Sequence, residues 1–176
     1  MPSKTTARPL AGAMLCLMML ALPLTTASAA DHPDDWRSPS AGASVVRAFA
    51  APPAPWASGH RGVKLGASPS SAVRAPERGT VLFSGKVVNR YVLTIAHGAG
   101  YVSSFEPVET ELEVGDTVTQ GQQIASLATY DDGTYACEAA CLHWGVRHHG
   151  EYINPMLLLG PVEPSVLLPL DERSDA

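Results

Sequence analysis

The candidate constellation for binding a metal, carrying a proton or attacking a carbonyl group is His60, Lys64, His97, Cys137, Cys141, His143, His148 and His149. Two spacings matter. In "GHRGVKL" the histidine stands four residues before a lysine, where a histidine four residues before an aspartate would read as half of a metal site. In "CLHWGVR" Cys141 and His143 flank a single leucine. A zinc hydrolase centre needs three protein ligands drawn from His, Asp/Glu and Cys, with a fourth position left open for water. The metal brings that water's pKa to about 7, and a further base or hydrogen-bond donor assists. The chain carries no GxSxG elbow and no P-loop, so nothing marks a serine nucleophile or a phosphate cradle.

These residues sit among short extended segments. From residue 72 onward the chain alternates β-branched and aromatic runs with turn residues, namely Pro76, Gly79, Gly85, Asn89, Gly98 and Gly100. Short runs punctuated in this way argue for an all-β domain. "RYVLTIAHGAGYVSSF" reads as a hairpin turning at "HGAG", and "VGDTVTQGQQI" as a short extended piece between Gly115 and Gly121. "LHWGVR" reads as a strand with Leu142, Trp144 and Val146 on one face and His143, Gly145 and Arg147 on the other. No stretch reads as a convincing amphipathic helix. His148 and His149 follow that strand and read as solvent-exposed loop residues.

The flanks have other work. Lys4 and Arg8 precede the apolar run "PLAGAMLCLMMLALPL" and then "TTASAA", the order of a secretory signal peptide over residues 1–29, with cleavage after Ala29 or Ala30. The apolar run is short for a membrane span of about 20 residues. Cleavage removes Cys16 and takes the formal net charge from −5 to −7, since Lys4 and Arg8 leave with the segment. An acidic mature protein is a poor general nucleic-acid binder. The expectation is a monomer that is secreted or wall-associated and free of the membrane after cleavage. Residues 30–56 form a Pro/Ala-rich arm in which repeated proline opposes regular structure. Its aromatics, Trp36, Phe49 and Trp56, predict that part of it packs on the domain spanning 57–160. The proline-containing tail, 161–176, is expected to be irregular.

Five blocks in order, "GHRGVKL", "APERGTVLFSG", "HGAGYVSSFEP", "VGDTVTQGQQI" and "CLHWGVR", resemble the lysostaphin/LytM-type zinc metalloendopeptidases, peptidase family M twenty-three with its duplicated hybrid motif. The likeness is strongest to a secreted actinobacterial branch and covers about residues 44–160. It implies a compact antiparallel β-sheet or sandwich core, and cleavage of peptide cross-links in bacterial peptidoglycan.

The same resemblance, carried over position by position, argues against that activity. The family's HxxxD motif supplies two zinc ligands. His60 matches the histidine, but Lys64 stands at the aspartate. The second histidine of the family's HxH motif is the third ligand and matches His143, whereas Cys141 stands at the first, which assists catalysis. A further assisting histidine would fall at Pro107. His97 resembles a common turn residue of the family that caps or lines its turn. An ammonium about 4 Å from Zn²⁺ meets roughly 8 kcal/mol of repulsion at an effective dielectric of about 20. A bound water and a nearby acid such as Asp131 or Asp132 could stand in for the missing ligand. Cys141 is either a thiolate ligand or half of a disulfide with Cys137, and the even cysteine count in an oxidising compartment favours the disulfide. Zinc binding is therefore expected to be weak or absent. The expected function is that of a degenerate family member which binds peptidoglycan or regulates another wall hydrolase. The alternative is an active zinc endopeptidase with a rewired site.

Overall fold

The computed structural model of the chain describes residues 36–54 and 56–160. The expected signal peptide, the first residues of the arm and the C-terminal tail lie outside the described residues. The described part is all-β, as the alternation predicts, and its one helical element is a 3-10 turn at Pro155–Leu158. Its strands are β1 (Val45–Arg47), β2 (Val63–Gly66), β3 (Ala72–Arg74), β4 (Gly79–Val87), β5 (Arg90–Ala96), β6 (Tyr101–Glu106), β7 (Val108–Glu109), β8 (Thr117–Val118), β9 (Gln123–Leu127), β10 (Cys141–His148) and β11 (Glu151–Ile153). An eight-stranded sheet runs β1-β2-β10-β6-β5-β4-β8, with β11 also paired to β10, and a smaller sheet runs β3-β9-β7. All the pairings are antiparallel.

Side-chain alternation makes the larger sheet two-faced. Val63, Trp144, Phe105 and Leu93 lie opposite one another across β2, β10, β6 and β5, and all four are fully buried. Val73, Val108, Ile124 and Leu127 of the smaller sheet complete the same apolar cluster. The Trp144 indole N–H donates to Ser103 Oγ at 3.3 Å, so the largest core side chain hides no unpaired donor. The hairpin falls where expected: Tyr101 N donates to the Gly98 carbonyl, and Gly98 and Gly100 take φ of 79° and 81°, a region that glycine enters without strain.

The arm is more than a cover. It supplies β1 at the end of the larger sheet, and Trp36 inserts into the core, where it meets His97 edge-on at 4.7 Å and lies 6.5 Å from the Trp144 ring. Trp56, by contrast, is 88% exposed. His97 lines the turn through its backbone, its N–H donating to the Tyr101 carbonyl at 2.9 Å, while its side chain turns inward. Its ring is buried under Trp36, with Nδ1 donating to the Arg78 carbonyl at 2.9 Å and Nε2 left without a partner. His148 lies in β10 and stacks on Tyr101 at 4.1 Å, so only His149 is an exposed loop residue.

Two outcomes follow. Trp36→Ala removes a large core side chain and should lower unfolding free energy by about 3–5 kcal/mol in denaturant titrations. Burial lowers the His97 pKa below the ordinary histidine value, against hydrogen bonds to the Arg78 and Glu77 backbone. The folded state therefore binds this proton less readily than the unfolded state. The stability it contributes is complete above pH 6.5 and is lost as pH falls below that value. Denaturation midpoints measured from pH 7 to pH 5 should fall less steeply in His97→Gln than in the parent; equal slopes would remove His97 from the acid response.

Candidate metal and ligand site

The face of β10 that turns away from the core carries the site. His143 projects there, with Lys64 of β2 opposite it on one side and Glu106 of β6 opposite it on the other. His60 precedes β2 and is fixed by the arm. It forms an isolated antiparallel bridge with Ala50, and its Nδ1 donates to the Ala48 carbonyl at 2.6 Å. A carbonyl can only accept, so that bond sets the tautomer and leaves Nε2 as a bare lone pair, buried and without a hydrogen-bond partner. The His60 and His143 rings converge, with centroids 5.2 Å apart and planes tilted by 59°.

Gly62 makes that approach sterically feasible. A Cβ there would stand 2.5 Å from the Trp144 carbonyl and 2.8 Å from His143 Cε1 and Nε2. Gly59 is similarly pressed by the arm, with Pro52 N at 2.8 Å and the Ala50 carbonyl at 2.9 Å from a built Cβ.

Burial favours the neutral form of both imidazoles. Burial pushes His143 down to about 4; Glu106 opposes this, while His60, Lys64 and Arg90 add to it. Burial also lowers His60, against its bond to Ala48, with Arg47 and Lys64 lowering it further. Glu106 is occupied by Arg90, whose Nε and second guanidinium nitrogen reach its two carboxylate oxygens at 2.9 and 3.3 Å.

Zinc is the metal that the two converging histidines would suit, and an unpartnered Nε2 beside a neutral imidazole fits two ligands. The third does not follow. Lys64 extends away and donates to the Ala136 carbonyl at 2.5 Å. Cys141 is bonded to Cys137, with Cα atoms 6.1 Å apart, so its sulfur is no thiolate. Asp131 pairs with Lys86 at 2.7 Å, and Asp132 accepts from Thr134. Pro107 is buried, has no ring proton to give, and its carbonyl accepts from Ala128 N. Among the described residues no three His, Cys, Asp or Glu side chains are placed to share a metal. The donor set falls short of a three-ligand zinc centre.

A family model, "Peptidase family M23", matches residues 58–155, which is more than half of the chain. The chain belongs to peptidase family M23. It is 37% identical over 158 residues to the Mycobacterium tuberculosis protein Rv2891, covering 86% of this chain and 61% of the relative. It is 28% identical over 127 residues to the murein hydrolase activator NlpD of Escherichia coli, covering 70% of this chain and 31% of that protein. The chain thus spans about three fifths of the first relative and under a third of the second. The M23 fold is shared with the solved SpoIIQ–SpoIIIAH complex, at TM-score 0.62 and 22% identity over 73% of this chain and 93% of that one. It is also shared with the lysostaphin catalytic domain of Staphylococcus simulans, at TM-score 0.54 and 18% identity over 66% and 92% of the two chains.

The family motifs located His60, Lys64, His143, Pro107 and Cys141. They did not reveal the Ala48 carbonyl, Gly62 as the contact point for His143, or the Glu106–Arg90 pair, because each depends on which strand lies beside which. Gly62→Ala should displace the His143 imidazole and cost about 1–3 kcal/mol of stability by overpacking. The shift would register in the His143 ring resonances, and an unmoved spectrum would contradict the close approach.

Proposed function

We propose that this chain is a catalytically silent M23 domain of the bacterial cell envelope, secreted or wall-associated, which binds peptidoglycan or regulates a wall hydrolase without cutting. The observation that carries the reading is Lys64. It occupies the strand position beside His143 where the family places a carboxylate ligand, and its side chain is drawn off to the Ala136 carbonyl. Pro107 and Cys141 stand at the two assisting positions, and neither can accept or donate a catalytic proton there. A single loss could be compensated, but three among so few groups remove ligand, base and donor together. Similarity to a relative named as a murein hydrolase activator supports a regulatory role at the wall. Among the described residues no helix is long and apolar enough to cross a membrane.

The fold does not lean on a metal. Its core is a contiguous apolar cluster, and the Cys137–Cys141 bond ties the loop that enters β10. Thermal melts with and without chelator should coincide.

The deciding experiment is elemental analysis of the purified protein beside a peptidoglycan-release assay. The expected result is substoichiometric zinc and no release of soluble wall fragments. Stoichiometric zinc with chelator-sensitive release would establish instead an active zinc endopeptidase with a rewired site. Lys64→Asp refines the test: it should raise zinc affinity by roughly 100-fold, the upper range for altering even an outer partner, and still release nothing.

A further inference from the structure

Between β1, β2 and the disulfide-closed loop lies a cavity of about 570 Å³ that Lys64 lines. Its polar lining is Arg47, Lys64 and Glu138. Arg47 and Lys64 are direct cross-strand partners, an arrangement in which like charges repel and destabilise the pair unless an anion lies between them. Lys64 spends one of its three donors on the Ala136 carbonyl. Arg47 is exposed and forms no ion pair among the described residues. Glu106, the nearest carboxylate along the strand register, is already claimed by Arg90. Glu138 is exposed on the rim and pairs with neither cation. In a chain of net charge −5, two adjacent cations therefore face a cavity in which, among the described residues, no carboxylate is ion-paired with either.

The remaining walls favour a peptide. Gly66, Ala67, Ala136 and Ala140 leave the backbone within reach of an incoming chain, and β1 ends the sheet, so an extended segment can lie along it. Arg47 and Lys64 against Glu138 leave one net positive charge, which matches a monoanion better than a phosphate. We propose that this cavity binds the free terminal carboxylate of a short wall peptide, held by the Arg47 guanidinium fork and the Lys64 ammonium. The wall origin of the peptide rests on the function proposed above; the carboxylate chemistry does not.

The test is calorimetric titration of the purified protein with diacetyl-Lys-D-Ala-D-Ala, its C-terminal amide, an all-L tripeptide acid and inorganic phosphate. The D-terminated acid should bind, and the amide should bind roughly tenfold more weakly or worse, as should the acid to Lys64→Met and to Arg47→Met. Unchanged melts of both variants would show that they fold. Equal binding of acid and amide, parent-like binding by either variant, or tighter binding of phosphate would overturn the carboxylate site. Equal or better binding of the all-L acid would overturn the wall-peptide assignment. Co-sedimentation with insoluble peptidoglycan, run in parallel, separates the two readings. Sedimentation without peptide binding defeats the site and leaves the wall role standing. Peptide binding without sedimentation keeps the site and defeats peptidoglycan binding as the chain's role.

Discussion

Pairing of β10 on both sides, with β2 and with β6, is the constraint on which the rest of the molecule depends. It places Trp144 between Val63 and Phe105 in the core and, one residue earlier, His143 between Lys64 and Glu106 on the opposite face. Because side chains alternate with a period of two, a slip of one residue would send the indole to the groove and the imidazole to the core. The apolar row therefore fixes the polar row. The energy that holds the site in place comes from Trp144, Phe105 and their neighbours, so the site can lose a ligand without the fold losing its support.

The arm extends the same logic beyond the peptidase-like segment. Trp36 enters the core, β1 lengthens the sheet, and the carbonyls of Ala48 and Ala50 seat His60. Its prolines keep it extended, and Gly59 lets it pass close enough to fix the imidazole. An arm that orients a site histidine is part of the site.

Exchanging a carboxylate for an ammonium at position 64 does more than delete a ligand. It inverts the local field, since Lys64 joins Arg47 in lowering the His60 pKa, and burial with Arg47 lowers the pKa of Lys64 itself. A carboxylate at this position would favour a cation, whereas the ammonium adds positive charge beside Arg47.

Much of this was legible in the chain. Alternating apolar residues in "LHWGVR", the glycine turn in "HGAG" and the ordered family blocks determined an all-β M23 fold, and they marked Lys64, Pro107 and Cys141 as departures. Short-range pattern suffices there, because strand alternation and turn geometry are local properties. Long-range contacts were not legible. That His97 lies under Trp36, that Ala48 sets the His60 tautomer, that Asp131 goes to Lys86 rather than to a metal, and that Arg47 stands beside Lys64 were decided only when distant strands came into register. The sequence by itself separated the two faces of the "LHWGVR" strand, Trp144 with the core and His143 against it, because alternation is local; which faces meet was settled only in the fold, because strand pairing and core packing follow from the burial of the whole chain and not from any one segment.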